Sequence, residues 1–203
     1  VKLGVIVEGH GEVCAVPVLL RRVAAHVAPQ QELEVLHPMR VQRNLLVKEG
    51  ELERAVERLA RKTGVGGGIL VVIDADDDCP AELGPALLGR AKAARPDRKI
   101  AVCIAKHEFE AWFLAAASSL AGVRFLPSPL VPPDDPEGVR DAKGWLASRM
   151  NPPYSPTVDQ PSLAARMDLE QALRCRSFAK FHREVERLLS DPMPKDDDDA
   201  EHA

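Results

Sequence analysis

The stretch Gly68–Ile73, GILVVI, is an unbroken apolar and largely β-branched run bounded by glycines. A strand of that kind has to be covered on both faces, the condition of a central strand in a parallel sheet packed between helices. It runs directly into Asp74-Ala75-Asp76-Asp77-Asp78, four carboxylates within five residues. Neighbouring like charges raise one another's pKa, so these groups cannot all stay ionised without a counter-charge. A divalent cation removes that cost, and hard oxygen ligands at this density suit Mg²⁺ or Mn²⁺. Open α/β sheets also place their ligands at the carboxyl ends of strands. The competing reading is a solvated acidic turn.

The rest of the chain repeats the pattern. Lys2–Val7 reads as a first core strand, too short for a signal peptide and without a cleavage site. Glu12–Val27 has helical apolar spacing, Leu33–Val41 suits a second strand, and Glu49–Arg61 is an amphipathic helix. Pro80–Ala94 reads as a third helix and Lys99–Ala105 (KIAVCIA) as a further strand, leading into a helix that starts around Lys106–Phe113. Such alternation predicts right-handed βαβ units, hence an α/β fold with a mainly parallel, Rossmann-like sheet flanked by helices. After Gly122 the texture changes: Pro127, Pro129, Pro132, Pro133 and Pro136 mark an irregular connection. Helical segments follow around 137–148, 162–174 and 178–189. The expected organisation is an α/β core over 1–121, a Pro-rich linker over 122–136, a helical extension packed on the core over 137–190, and a disordered acidic tail over 191–203.

Bulk properties exclude several classes. Among 203 residues, 45% are hydrophobic and 29% charged, as in ordinary globular domains. No apolar run approaches the ~20 residues that span a bilayer, so no membrane role and a cytoplasmic location are expected. Cys14, Cys79, Cys103 and Cys175 are scattered without zinc spacing. A net charge of −4 argues against gripping nucleic acid by bulk electrostatics, though bound metal and local Arg or Lys can carry phosphate contacts. A homodimer is compatible with the sequence.

The first strand exits into Glu8-Gly9-His10-Gly11-Glu12. This turn lacks the third glycine of a dinucleotide fingerprint and the Lys-Ser/Thr of a phosphate loop. In a parallel sheet Glu8 and Asp74 share the carboxyl edge, on strands ~5 Å apart, and could share a cation. Asp74 and Asp76, two apart in an extended segment, would point the same way. Asp78 continues the series, but Cys79 and Pro85 stand where an EF-hand needs glycine and glutamate. At the next strand end come Lys106, Glu108 and Glu110. If the helix has begun there, the two glutamates lie ~200° apart and cannot both face one site. Spacing does not choose between them.

Glu-Gly-x-x-Glu after the first strand, followed by Asp-x-Asp at a later one, resembles the Toprim domain of topoisomerases, bacterial primases and overcoming-lysogenisation-defect nucleases. Over nearly its full length the chain is more closely similar to a bacterial family with a Toprim-like core, domain of unknown function 4276. The segments carrying that likeness are VEGHGE (7–12), DADDDCP (74–80), EFEAWFLA (108–115), Lys143-Gly144-Trp145-Leu146, YSPTVDQ (154–160) and Arg176-Ser177-Phe178. The resemblance implies a metal-dependent nuclease cutting phosphodiester bonds in DNA or RNA. It puts general acid/base or metal-binding work on Glu8, Mg²⁺ on Asp74 and Asp76, and a further ligand on Glu12. A second metal would fall to the third motif, which Glu110 fits better than Glu108. Charge stabilisation would fall to Lys143, with Lys106 as substitute. Two such ions stand ~3.5–4 Å apart in hydrolytic sites. On this likeness, replacing Asp76 by Asn should abolish cleavage. The likeness further suggests a separate ATPase subunit as partner, in phage or plasmid defence. The alternative is a non-catalytic Toprim-like regulatory module that binds nucleic acid or metal, since fold alone does not establish activity.

Overall fold

A computed structural model describes residues 1–190; the expected acidic tail lies outside the described residues. In chain order the elements are β1 (Lys2–Val7), α1 (His10–Val27), β2 (Glu34–Val35), β3 (Met39–Arg40), α2 (Arg43–Leu46), α3 (Glu51–Thr63), β4 (Gly68–Asp74), α4 (Pro80–Ala94) and β5 (Lys99–Ala105). After these come α5 (Ala111–Ala115), α6 (Ala142–Ala147), α7 (Pro156–Ala164), α8 (Leu169–Ala172) and α9 (Arg176–Ser190), with 3₁₀ turns at Ala117–Leu120 and Pro136–Gly138.

The five strands are parallel, in the order β2-β1-β4-β5, with β3 also pairing β1. The apolar runs of β1, β4 and β5 are buried on both faces, as an all-parallel sheet requires. Alternate residues divide between two cores. Leu3, Val5, Val7, Leu70, Val72, Ala101 and Cys103 face α1, α5 and α9. Ile6, Ile69, Val71, Ile73, Ile100, Val102 and Ile104 face α3 and α4. The fold is therefore α/β with a mainly parallel sheet between helical layers, extended by C-terminal helices.

Several boundaries differ from the sequence reading. The single strand expected over 33–41 is two dipeptides on the same side of β1. Leu36 N donates to Leu3 O (2.9 Å) and Val41 N to Val7 O (2.8 Å), and between them stands Pro38, which has no N–H to give. The helix expected from Lys106 begins only at Ala111, with Glu110 as its cap residue. Among the later helices α6 to α8 are short, each opened by a proline or a side-chain cap. Asp141 Oδ1 accepts from Gly144 N (2.7 Å) to start α6, Pro156 opens α7, and Asp168 Oδ1 accepts from Gln171 N (3.1 Å) to start α8. These helices pack back onto the sheet layer through one continuous core, in which Trp112 meets Phe178 and Phe181 at ring distances of 5.3 and 5.2 Å.

Candidate functional site

The register sets the site. Val7, the last residue of β1, pairs with Val72, so Glu8 emerges beside the end of β4, where Asp74 pairs with Ala105 of β5. Three strand ends thus open onto one edge. Glu12, in the first turn of α1, folds back over the β1–α1 turn: its Oε2 accepts from Glu8 N (3.2 Å) and Gly9 N (3.0 Å). A Cβ on Gly9 would lie 2.6 Å from Glu12 Oε1, so a side chain there would have to displace that carboxylate. Glu8, Glu12 and Asp74 each present an oxygen within 4.8 Å of the others.

Asp74 is 3% exposed and divides its oxygens. Oδ1 accepts from Phe109 N (2.7 Å), a bond that anchors the β5 exit, while Oδ2 lies 3.6 Å from Lys143 Nζ. The same ammonium is 3.1 Å from Glu108 Oε1 and 3.5 Å from Glu110 Oε2. Because α5 has not begun at residues 108–110, both glutamates reach one lysine. The helical spacing that would have separated them does not apply. Their environments differ. Glu108 is fully engaged, with Oε2 accepting from Lys143 N (3.0 Å) at the start of α6. Glu110 is wholly buried: Oε1 accepts from Tyr154 Oη (3.1 Å) and Gln160 Nε2 (2.8 Å), and Oε2 has no hydrogen-bond partner.

Crowding carboxylates in a largely buried pocket raises their pKa values. Burial, then the charges of Glu12 and Asp76, push Glu8 up to about 7. Burial, with Glu12 and Glu8 next, lifts Asp74 well above the carboxylate range. Burial also raises Glu12 and Glu110. Lys143 loses basicity to burial, but Glu110, Asp74 and Glu108 outweigh that and hold it above the ordinary lysine value.

The outer aspartates are placed differently. The strand stops at Asp74 and the backbone turns left-handed at Asp76 (φ 51°), so Asp74 points inward while Asp76 is 59% exposed. The extended geometry expected to align the pair therefore does not hold, although Asp76 still raises the pKa of Glu8. Arg43 of α2 gathers this turn. Its guanidinium donates to the carbonyls of Asp74 and Ala75 (2.9 Å each), lies 3.3 Å from Asp76 Oδ2, and pairs with Asp78. Asp77 pairs with Arg140 at 2.6 Å. Lys106 makes no ion pair with these acids among the described residues; its charge is felt at the Cys175 thiol. A groove of about 350 Å³ lined by Asp76, Asp77, His107, Glu108 and Arg140 opens beside the pocket.

No motif or spacing in the sequence assigns a role to Arg43, Tyr154 or Gln160. The segment 154–160 stood out only as part of the family likeness, and nothing in its spacing ties it to Glu110.

These features define an α/β protein with a parallel sheet whose carboxyl edge carries a partly buried acidic pocket and one buried-facing lysine. The chain belongs to the family described as domain of unknown function DUF4276, whose model matches residues 7–186. No curated protein and no solved structure matches the chain.

Proposed function

We propose that this protein is a Mg²⁺- or Mn²⁺-dependent phosphodiesterase acting on nucleic acid. The observation that carries the proposal is the convergence of Glu8, Glu12 and Asp74 within 4.8 Å at one sheet edge, with Glu110 joined to them through Lys143. The donor set fits a hard divalent cation. Every candidate ligand atom is a carboxylate oxygen, and Glu8 Oε2 and Glu110 Oε2 are buried without a hydrogen-bond partner. The Toprim resemblance points the same way.

A cation bound there supplies Lewis acidity and a water acidic enough to ionise near neutral pH. Glu12 and Asp74 would hold it, with Glu110 completing the set. Glu8, at the rim, would exchange a proton with the attacking water. Lys143 would neutralise charge developing on the phosphate, held in place by Glu108. Asp76 and Asp78, drawn to Arg43, would act at the rim through their field. Arg140, on the neighbouring groove, would meet the phosphate backbone of a strand lying there. A separate ATPase partner in a defence system would share the contacts to nucleic acid with this chain.

The test is cleavage of plasmid, single-stranded DNA and RNA with Mn²⁺ or Mg²⁺, comparing the wild type with Asp74→Asn. Asparagine keeps an oxygen to accept from Phe109 N but removes the charge, so the fold should survive while cleavage falls at least about 100-fold. Metal-dependent cleavage undiminished in D74N, or none by the wild type on any substrate, would refute the proposal.

A further inference from the structure

Glu110 is fully buried, yet its two oxygens have different surroundings. Oε1 is held by two donors, Tyr154 Oη at 3.1 Å and Gln160 Nε2 at 2.8 Å. Oε2 faces Lys143 Nζ at 3.5 Å and has no hydrogen-bond partner. Both donors come from beyond the Pro-rich connection: Tyr154 just precedes α7, and Gln160 lies within it, 1% exposed. Burial and the Glu110 charge hold the Tyr154 hydroxyl far above its ordinary pKa, so it remains a donor.

Gln160 is itself fixed by shape. Its Oε1 is buried without a partner, and a Cβ at Gly11 would lie 2.1 Å from that atom and 2.7 Å from the Pro156 carbonyl. The carboxamide therefore lies against bare backbone at the start of α1, one residue from Glu12. A buried carboxylate with free rotation could re-aim or take up a proton. Two donors on one oxygen favour the ionised form and set the direction of the other oxygen.

We propose that Tyr154 and Gln160 are positioning residues of the metal site: by holding Oε1 of Glu110 they aim Oε2 at the cation position next to Asp74. The proposal rests on the metal-binding reading above and adds that the C-terminal helices determine the geometry of the ligand set. It differs from a purely structural role, in which the two side chains only satisfy a buried carboxylate and act through stability.

Mn²⁺ affinity of the full chain, followed by electron paramagnetic resonance and calorimetry, separates the two. Tyr154→Phe should weaken binding by about tenfold and Gln160→Leu by about 10- to 100-fold, the range for groups that orient metal ligands. Glu137→Ala, which removes a cap from α9 away from the pocket, should lower the melting temperature and leave affinity within about twofold. Y154F deletes one oxygen and decides the matter even if Q160L does not fold. Wild-type affinity in Y154F, or a loss in E137A equal to that in Y154F, overturns the positioning role while leaving the metal reading intact. A wild type that binds no Mn²⁺ overturns both.

Discussion

Glu8 carries a pH signature. Burial and the nearby Glu12 and Asp76 lift it to about 7 from an ordinary value of 4.5. In the metal-free protein the folded chain thus retains a proton that the unfolded chain releases. Its contribution to stability is complete below about pH 4.5 and is lost as pH rises through about 7. Glu8→Gln cannot ionise, so its melting temperature should exceed that of the wild type at pH 8 by roughly 2–6 °C and match it at pH 4. Metal-free melting curves over that range give the answer; equal melting temperatures at pH 8 would count against the pocket as described. At this scale much was legible from sequence. Like charges at strand ends announce a counter-charge, and adjacent parallel strands bring Glu8 to Asp74. The inward and outward split of Asp74 and Asp76 was not legible, because it depends on a left-handed turn at a non-glycine residue that no spacing rule marks.

Among the elements, the long ones follow from apolar pattern and the short ones from caps. The runs forming β1, β4 and β5 declare themselves because a strand buried on both faces leaves no polar alternation to misread. Beyond residue 122, α9 follows its apolar spacing, whereas α6 and α8 start at single polar contacts that periodicity does not contain. Glu137 makes another such contact. Within the segment expected as one helix, it instead accepts from Arg176 N and Ser177 N (2.9 Å each) and from the Ser177 hydroxyl, capping α9. Trp112 Nε1 donates to the same hydroxyl at 2.8 Å, so the cap ties α5 to α9. Arg176-Ser177-Phe178 thus has a structural part to play: two backbone donors and a hydroxyl for the cap, and a ring for the aromatic cluster. Glu137→Ala removes the acceptor of these part-buried donors and should cost about 1–3 kcal/mol in chemical denaturation. A loss below about 0.5 kcal/mol would mean that water replaces the cap freely.

For the molecule as a whole, the α/β portion does not close its own core. Phe109, Trp112 and Phe113 are buried against one another, and Phe178 and Phe181 of α9 cover Trp112. A fragment ending at residue 121 would expose that surface and lose Lys143, Tyr154 and Gln160. We expect it to bind a hydrophobic dye, to lack a cooperative melting transition, and to show no Mn²⁺ binding. A well-folded fragment with wild-type affinity would show that the later helices are dispensable. The contact of Gly11 with Gln160 also has a bearing on how such chains can diverge. The backbone at position 11 and the side chain at position 160 occupy touching volumes, although 148 positions of sequence separate them. A side chain at the first position would meet both the long amide at the second and the Pro156 carbonyl, so an exchange at position 11 requires a shorter residue at 160 together with a shift of the start of α7.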